Sequence, residues 1–153
     1  MTSTEQVINK APVVIRRRVK WGECDPAAVV YTVSFTEYVI SAAELFYEVL
    51  LGQSPQAAKQ HGGFGTPSRA LSFDFHSSLR PDELFDMTVI VEDVRSRTYV
   101  LAITARRPQG ELIFEAKLTP VCVARDARRS IELPDAFRRS LLAYQQACEV
   151  TSL

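Results

Sequence analysis

Several features common in proteins are scarce in this chain of 153 residues, and each scarcity excludes a class of function. It has no excess of basic charge, because its 18 basic residues are matched by 18 acidic ones, and this argues against general nucleic-acid binding. A local basic patch that binds a phosphorylated ligand is still compatible with this balance. No apolar run is long enough to cross a bilayer, and residues 1–10 lack the apolar core of a signal peptide. We therefore expect a cytoplasmic protein with neither membrane nor nucleic-acid partners.

Cysteine and histidine are also scarce. Cys24, Cys122 and Cys148 are odd in number and lack zinc-type spacing, so neither a disulfide framework nor a structural zinc site is indicated. The two histidines, His61 and His76, are distant from Cys24 in sequence. A catalytic role for Cys24 would need the fold to bring a histidine to it, and the alternative is a small buried residue.

The chain is organised around Trp21–Gly52, an acidic loop followed by a long apolar helix. Ser34 and Glu37 fit a capping box, and Gly52 suits the left-handed residue that ends a helix. Much of the remaining helix surface is apolar too, so we expect a helix covered nearly all round. The helical face is defined by residues recurring every three or four positions: Phe35, Val39, Ala42, Phe46 and Leu50.

The loop before this helix brings a carboxylate close to the helix start. Pro26 fixes its own φ and keeps Asp25 out of the α region. The free N–H groups of a helix N-terminus can polarise a carbonyl, so Asp25 beside them forms a plausible hydrolytic pair. The alternative is that Asp25-Pro26 is only a turn.

The rest of the chain predicts an α+β fold in one domain, 13–153, after a loosely ordered lead, 1–12. Residues 53–67, with Gly62-Gly63-Phe64-Gly65, lack the spacing and the lysine of a P-loop. They are expected to form an ordinary helix-to-strand loop, and the alternative is a flexible cover over a pocket. A terminal helix follows Pro134, with a stripe of Phe137, Leu141, Tyr144 and Cys148.

One antiparallel sheet against one helix often leaves an edge open for a second copy. The predicted strands are Val13–Lys20, Ala70–Leu79, Leu84–Val94, Arg97–Arg107 and Glu111–Arg125.

The loop sequence Gly22-Glu23-Cys24-Asp25-Pro26-Ala27, with Val29-Val30-Tyr31 and the helix after it, resembles the 4-hydroxybenzoyl-CoA thioesterase family. The similarity is to the branch with its catalytic aspartate in a G-[DE]-x-D-P loop, and it extends over about residues 13–140. Gly65-Thr66-Pro67 agrees with it. The resemblance implies the hotdog fold, an antiparallel sheet wrapped around one long central helix.

The resemblance also implies hydrolysis of an acyl-CoA thioester, with coenzyme A as part of the substrate and no cofactor or metal. Asp25 matches the family's nucleophile or general base, and the N–H of Thr32 matches the group that polarises the thioester carbonyl. Homodimers that pair into tetramers, with sites between subunits, are expected. The matching substrate positions are Tyr31, Ile40 and Thr66, and the matching positions for the phosphates of coenzyme A are Arg95 and Arg97.

Two positions depart from the family pattern. The family usually has glycine where this chain has Ala28, so the loop shape is in question. Ile40 falls at the helix position that is acidic in 4-hydroxybenzoyl-specific members, and an apolar residue there forms no hydrogen bond with a phenol. Benzoyl-like, other aryl and alkyl acyl groups therefore stay open.

Alternatives remain for both residues and function. Glu44 is the rival catalytic carboxylate, because some hotdog enzymes use a glutamate on this helix. Arg128 and Arg129 are further candidates for the phosphates of coenzyme A. A non-catalytic acyl-CoA sensor on the same fold is the main functional alternative. A hotdog dehydratase is weaker, because the sequence shows no Asp/His pair in a hydratase-type loop.

Overall fold

The computed structural model describes residues 3–127 and 129–151 and shows an α+β fold. The helices are α1 (Thr32–Leu51), α2 (Pro55–Gly62) and α3 (Asp135–Thr151). The strands are β1 (Glu5–Lys10), β2 (Val13–Arg18), β3 (Phe64–Gly65), β4 (Ser68–Phe75), β5 (Leu84–Val94), β6 (Tyr99–Arg106), β7 (Leu112–Pro120) and β8 (Val123–Ala124).

The main sheet has six antiparallel strands in the order β1-β2-β5-β6-β7-β4, so β1 and β4 are its edges. β3 and β8 form a small separate pair. The alternation predicted for β5 is confirmed, since Phe85, Met87, Val89 and Val91 are all buried. They share one hydrophobic core with the inward face of α1, which is the arrangement expected of the hotdog fold.

The long helix α1 buries the predicted face. Phe35, Val39, Ala42 and Phe46 are buried, and Gly52 ends the helix at φ 68°. The expectation of nearly complete coverage was wrong for the single chain, because a polar stripe is exposed and Ile40 on it is 38% exposed.

The start of α1 also differs from the predicted capping box. The helix begins at Thr32, Tyr31 is its N-cap, and no side chain caps it. The Ser34 hydroxyl instead donates to the backbone oxygen of Glu23 at 3.1 Å. A tertiary contact with the preceding loop thus replaces the local pairing of Ser34 with Glu37.

Two segments expected to be irregular are ordered. Residues 5–10, part of the expected lead, form edge strand β1, because pairing with β2 satisfies the backbone of a polar segment. Within the expected loop 53–67, α2 begins after Ser54, whose hydroxyl accepts the Ala57 N–H at 3.3 Å, with Pro55 in its first turn. The Ser-Pro pair was the available sequence signal for α2.

The C-terminal half follows the prediction with shorter strands. The expected strand Glu111–Arg125 is divided: β7 ends at Pro120, which has no N–H to donate to a ladder, and β8 follows. In α3 the predicted stripe is buried, and the Tyr144 hydroxyl accepts the Val13 N–H at 2.7 Å and donates to the Val89 oxygen at 2.5 Å. These bonds fix α3 to β2 and β5. Within the described ranges, none of the helices combines the length and apolarity needed to span a bilayer.

Candidate active site

The Asp25 loop is a tight turn held by its own hydrogen bonds. Asp25 Oδ1 accepts the Ala27 N–H at 2.8 Å, and the Asp25 N–H donates to the Val29 oxygen at 2.9 Å. The carboxylate is half-buried, and Oδ2 accepts no hydrogen bond from the described residues. The turn interpretation and the catalytic one are therefore compatible, because one oxygen shapes the turn and the other stays available.

Ala28 lies in the left-handed region at φ 61°. A side chain there is strained by roughly 1 kcal/mol, and glycine avoids this strain. The backbone conformation at position 28 thus favours glycine, which is the residue that the family usually has there. Ala28 nevertheless completes the turn by donating its N–H to the backbone oxygen of Asp25 at 2.9 Å.

Glu23 anchors this loop to the start of α1. Its Oε1 accepts the Lys20 N–H at 2.8 Å and the Tyr38 hydroxyl at 2.9 Å, and its Oε2 pairs with the Arg17 guanidinium. Its backbone oxygen accepts the Tyr31 N–H at 2.9 Å. Burial and the Glu23 carboxylate raise the pKa of the Tyr38 phenol well above its usual value. Sequence reasoning gave Glu23 no role, although the loop motif contains it.

The helix start offers a free hydrogen-bond donor. The Thr32 N–H reaches no acceptor among the described residues, and both Thr32 and Tyr31 are exposed. Beside it lies a groove of about 440 Å³, lined by Thr32, Phe35, Phe75 and His76 among others. The Phe35 and Phe75 ring centroids are 5.0 Å apart, so the groove has an aromatic wall.

A second cavity, about 320 Å³, lies further along α1 between α1 and α2. Ile40 and Glu44 of α1 and Thr66 line it, and Thr66 Oγ1 accepts a 2.5 Å hydrogen bond from Lys59 Nζ. The predicted substrate positions are therefore divided: Tyr31 is at the helix start, whereas Ile40 and Thr66 line a different cavity.

The arginines expected at coenzyme A lie near the β5–β6 turn, and both are exposed. Arg95 Nε pairs with Asp93 at 2.9 Å, and Arg97 Nη1 donates to the Ser130 carbonyl and hydroxyl oxygens at 2.8 and 3.0 Å. Arg129 is exposed as well, while Arg128 lies outside the described residues.

The structure does not favour a cysteine nucleophile. Burial, with the Glu23 and Asp25 charges, raises the pKa of the Cys24 thiol, so the thiolate is disfavoured. His76 lies instead beside Asp74 and Glu115, at 3.4 and 3.3 Å. These three exposed side chains could approach one cation, but they are surface groups of the sheet edge.

Comparison with known proteins identifies the class. The sequence model of the Thioesterase-like superfamily matches residues 19–141, which include the Asp25 loop, the helices α1 and α2 and most of the sheet. The chain belongs to this superfamily, and the expected class, an enzyme that hydrolyses thioesters, is confirmed at that level. A sequence search of curated proteins finds no significant match.

Solved structures agree on the fold. The thioesterase superfamily protein from Jannaschia sp. CCS1 has a TM-score of 0.81 at 22% identity, covering 94% of this chain and 96% of that one. The 1,4-dihydroxy-2-naphthoyl-CoA thioesterase from Synechocystis has a TM-score of 0.76 at 20% identity, and the match covers 84% of this chain and 94% of that one. The 4-hydroxybenzoyl CoA thioesterase from Pseudomonas sp. strain CBS-3 has a TM-score of 0.73 at 21% identity, and the match covers 83% of this chain and 96% of that one.

Proposed function

We propose that the protein hydrolyses an acyl-CoA thioester to the free acid and coenzyme A. The observation that carries this proposal is the loop that leads from Asp25, fixed in its turn, to the unpaired N–H of Thr32, since the Glu23 oxygen holds this loop to the helix start by accepting the Tyr31 N–H. A thioester is already activated, so its hydrolysis needs a nucleophile or base and a donor to the developing oxyanion. Asp25 supplies the first, attacking the carbonyl or activating water, and Thr32 supplies the second.

The acyl group is proposed to be aryl. The groove beside Thr32 has Phe35 and Phe75 on its wall, which suits an aromatic ring. The structural neighbours from Synechocystis and Pseudomonas are thioesterases of aryl-CoA substrates. Ile40 lines the other cavity, at the helix position that is acidic in 4-hydroxybenzoyl-specific members, and it offers no acceptor to a phenol.

The carrier is proposed to be coenzyme A, with its phosphates at Arg95 and Arg97. Both guanidinium groups are exposed, and their present partners are surface groups that a phosphate can replace. A structural neighbour from Staphylococcus aureus, at 14% identity, was solved in complex with CoA.

The active unit is proposed to be a homodimer, which can pair into a tetramer. Edge strand β4 leaves one side unpaired, and Phe75 at its end is 46% exposed. The exposed stripe of α1, which carries Ile40, lies open in the single chain. The resemblance to the 4-hydroxybenzoyl-CoA thioesterase family implies that Thr66 of one subunit lies near the substrate across the subunit interface.

Thiol release from a panel of acyl-CoAs tests this function. The panel contains benzoyl, hydroxybenzoyl, phenylacetyl, short alkyl and long alkyl thioesters at matched concentration. We expect turnover, fastest with an aryl member. Binding of a panel member without turnover of any would instead support an acyl-CoA sensor and contradict the proposal.

A further inference from the structure

The cavity between α1 and α2 is lined by Lys59, whose ammonium has no ion-pair partner among the described residues. Lys59 Nζ donates to Thr66 Oγ1 and lies 4.5 Å from the centroid of the Tyr47 ring. In the described part of the chain, no carboxylate forms an ion pair with Lys59; Glu44 lines the same cavity and acts on it at longer range. Burial lowers the pKa of Lys59, because a desolvated ammonium is disfavoured without a counter-charge.

The polar groups around Lys59 are held in place by hydrogen bonds. The hydroxyls of Tyr47 and Tyr99 are hydrogen-bonded to each other in the core, and Thr66 interacts with both. These contacts fix the ring beneath the ammonium and the hydroxyl beside it. The volume of about 320 Å³ is enough for part of a small ligand.

The cavity also lies along the proposed reaction surface. Ile40 on its wall is eight residues after Thr32, so both lie on one side of α1, about 12 Å apart along the axis. This distance exceeds the length of a short acyl group, so an acyl group bound at Thr32 does not reach the Lys59 cavity of the same subunit. Thr66 lines this cavity too, and it is the residue proposed to lie near the substrate across the subunit interface. An acyl group bound at Thr32 of one subunit is therefore proposed to extend toward the Lys59 cavity of its partner.

We propose that Lys59 is a specificity-determining residue that selects acyl groups ending in an anionic oxygen, such as a carboxylate, which binds at its ammonium in this cavity. The inference rests on the proposed thioester hydrolysis and specifies its substrate class. A terminal carboxylate would restore the missing counter-charge and form a charge-assisted hydrogen bond. A terminal methyl group would leave the ammonium half-buried and unpaired.

The test compares thioesters that differ only in this group: glutaryl-CoA against valeryl-CoA, and 4-carboxybenzoyl-CoA against 4-methylbenzoyl-CoA. We expect wild-type protein to prefer the anionic member of at least one pair by about tenfold or more in kcat/KM. Lys59→Met should abolish this preference, Lys59→Arg should retain it, and Lys117→Met, at an exposed lysine paired with Glu92, should leave it unchanged.

Three results would overturn the inference. A preference of wild-type protein for the neutral members would overturn it. This result needs no variant, so it holds even if Lys59→Met fails to fold. If Lys59→Met lowers kcat/KM equally for both members of a pair, Lys59 binds the phosphates of coenzyme A, which every thioester carries, and not the acyl group. A preference that survives in folded Lys59→Met would exclude Lys59 as its origin.

The proposed function fails separately, if wild-type protein hydrolyses none of the four thioesters. Calorimetric binding of the same thioesters then decides the present inference. Tighter binding of the anionic members that Lys59→Met loses would retain it as a ligand preference. Absence of binding would overturn both proposals.

Discussion

The hydroxyl of Tyr38, in the second turn of the central helix, donates a 2.9 Å hydrogen bond to Oε1 of Glu23 in the loop that carries Asp25. The same carboxylate pairs with Arg17 of β2, and its backbone oxygen accepts from Tyr31 at the helix N-cap. Sheet, loop and helix therefore meet at one glutamate, which sets the position of Asp25 relative to the helix start.

Glu23→Gln should destabilise the fold and slow turnover. The side chains of Glu23 and Arg17 are only 14% and 8% exposed, so loss of the Glu23 charge leaves the buried Arg17 guanidinium with the longer Glu5 ion pair, at 3.4 Å. We expect the free energy of unfolding to fall by about 2 kcal/mol in a denaturant titration. Glu37→Gln, at an exposed position of α1, is the control and should stay within about 0.5 kcal/mol. An unchanged unfolding midpoint in Glu23→Gln would show that the loop is held by other contacts.

Ala28→Gly should stabilise the protein. Its φ of 61° is strained for alanine and free for glycine, and the relief is reduced because glycine gains entropy in the unfolded chain. The net gain should be up to about 1 kcal/mol, a rise of roughly 2–4 °C in the melting temperature. Ala27→Gly, next to it, lacks the positive φ and should not stabilise. A lower melting temperature for Ala28→Gly would indicate that the alanine methyl group is needed for packing in the assembled protein.

The pH dependence of stability should contain a contribution from Glu83. The hydrogen bond from Arg107 lowers the pKa of Glu83, so the folded state releases this proton more readily than the unfolded state. The stabilisation is thus present above the unfolded pKa of about 4.5 and is lost as pH falls through the folded value. The stability difference between wild type and Glu83→Gln, measured by denaturant titration, should shrink from pH 7 to pH 3.

Glu132→Gln provides the matched control, because Glu132 is exposed. Its stability difference from wild type should be small at every pH. A Glu83→Gln difference that stays constant down to pH 3 would contradict the assigned role of the Arg107 bond.

Assembly can be checked by sedimentation. The open β4 edge and the exposed stripe of α1 lead us to expect a species of at least twice the 17.1 kDa chain mass at micromolar concentration. A monomer that retains full thioesterase activity would contradict the proposed sites between subunits.

Much of the fold was predictable because its patterns are local. The alternation of β5, the apolar face of α1 and the left-handed Gly52 each follow from residue spacing. The strand β1 was not predictable in this way, because its polar residues are ordered by pairing with β2 rather than by burial.

The candidate site was only partly predictable, because its parts meet through tertiary contacts. Asp25 and Thr32 are close in sequence, and the motif predicted both. The contacts of Glu23 with Tyr38 and Arg17 depend on packing of the helix against the sheet. The contact of Lys59 with Thr66 depends on α2, where the sequence predicts a loop.

The most direct test of the central claim is single-substrate kinetics of Asp25→Asn beside Glu44→Gln, using the fastest thioester of the panel. Asparagine keeps the size of the side chain and its turn-forming oxygen but removes the charge that attacks or activates water. We expect kcat to fall by at least about a hundredfold for Asp25→Asn, with binding retained, and to change little for Glu44→Gln. Activity that survives Asp25→Asn and disappears in Glu44→Gln would contradict it and move the catalytic carboxylate to the helix.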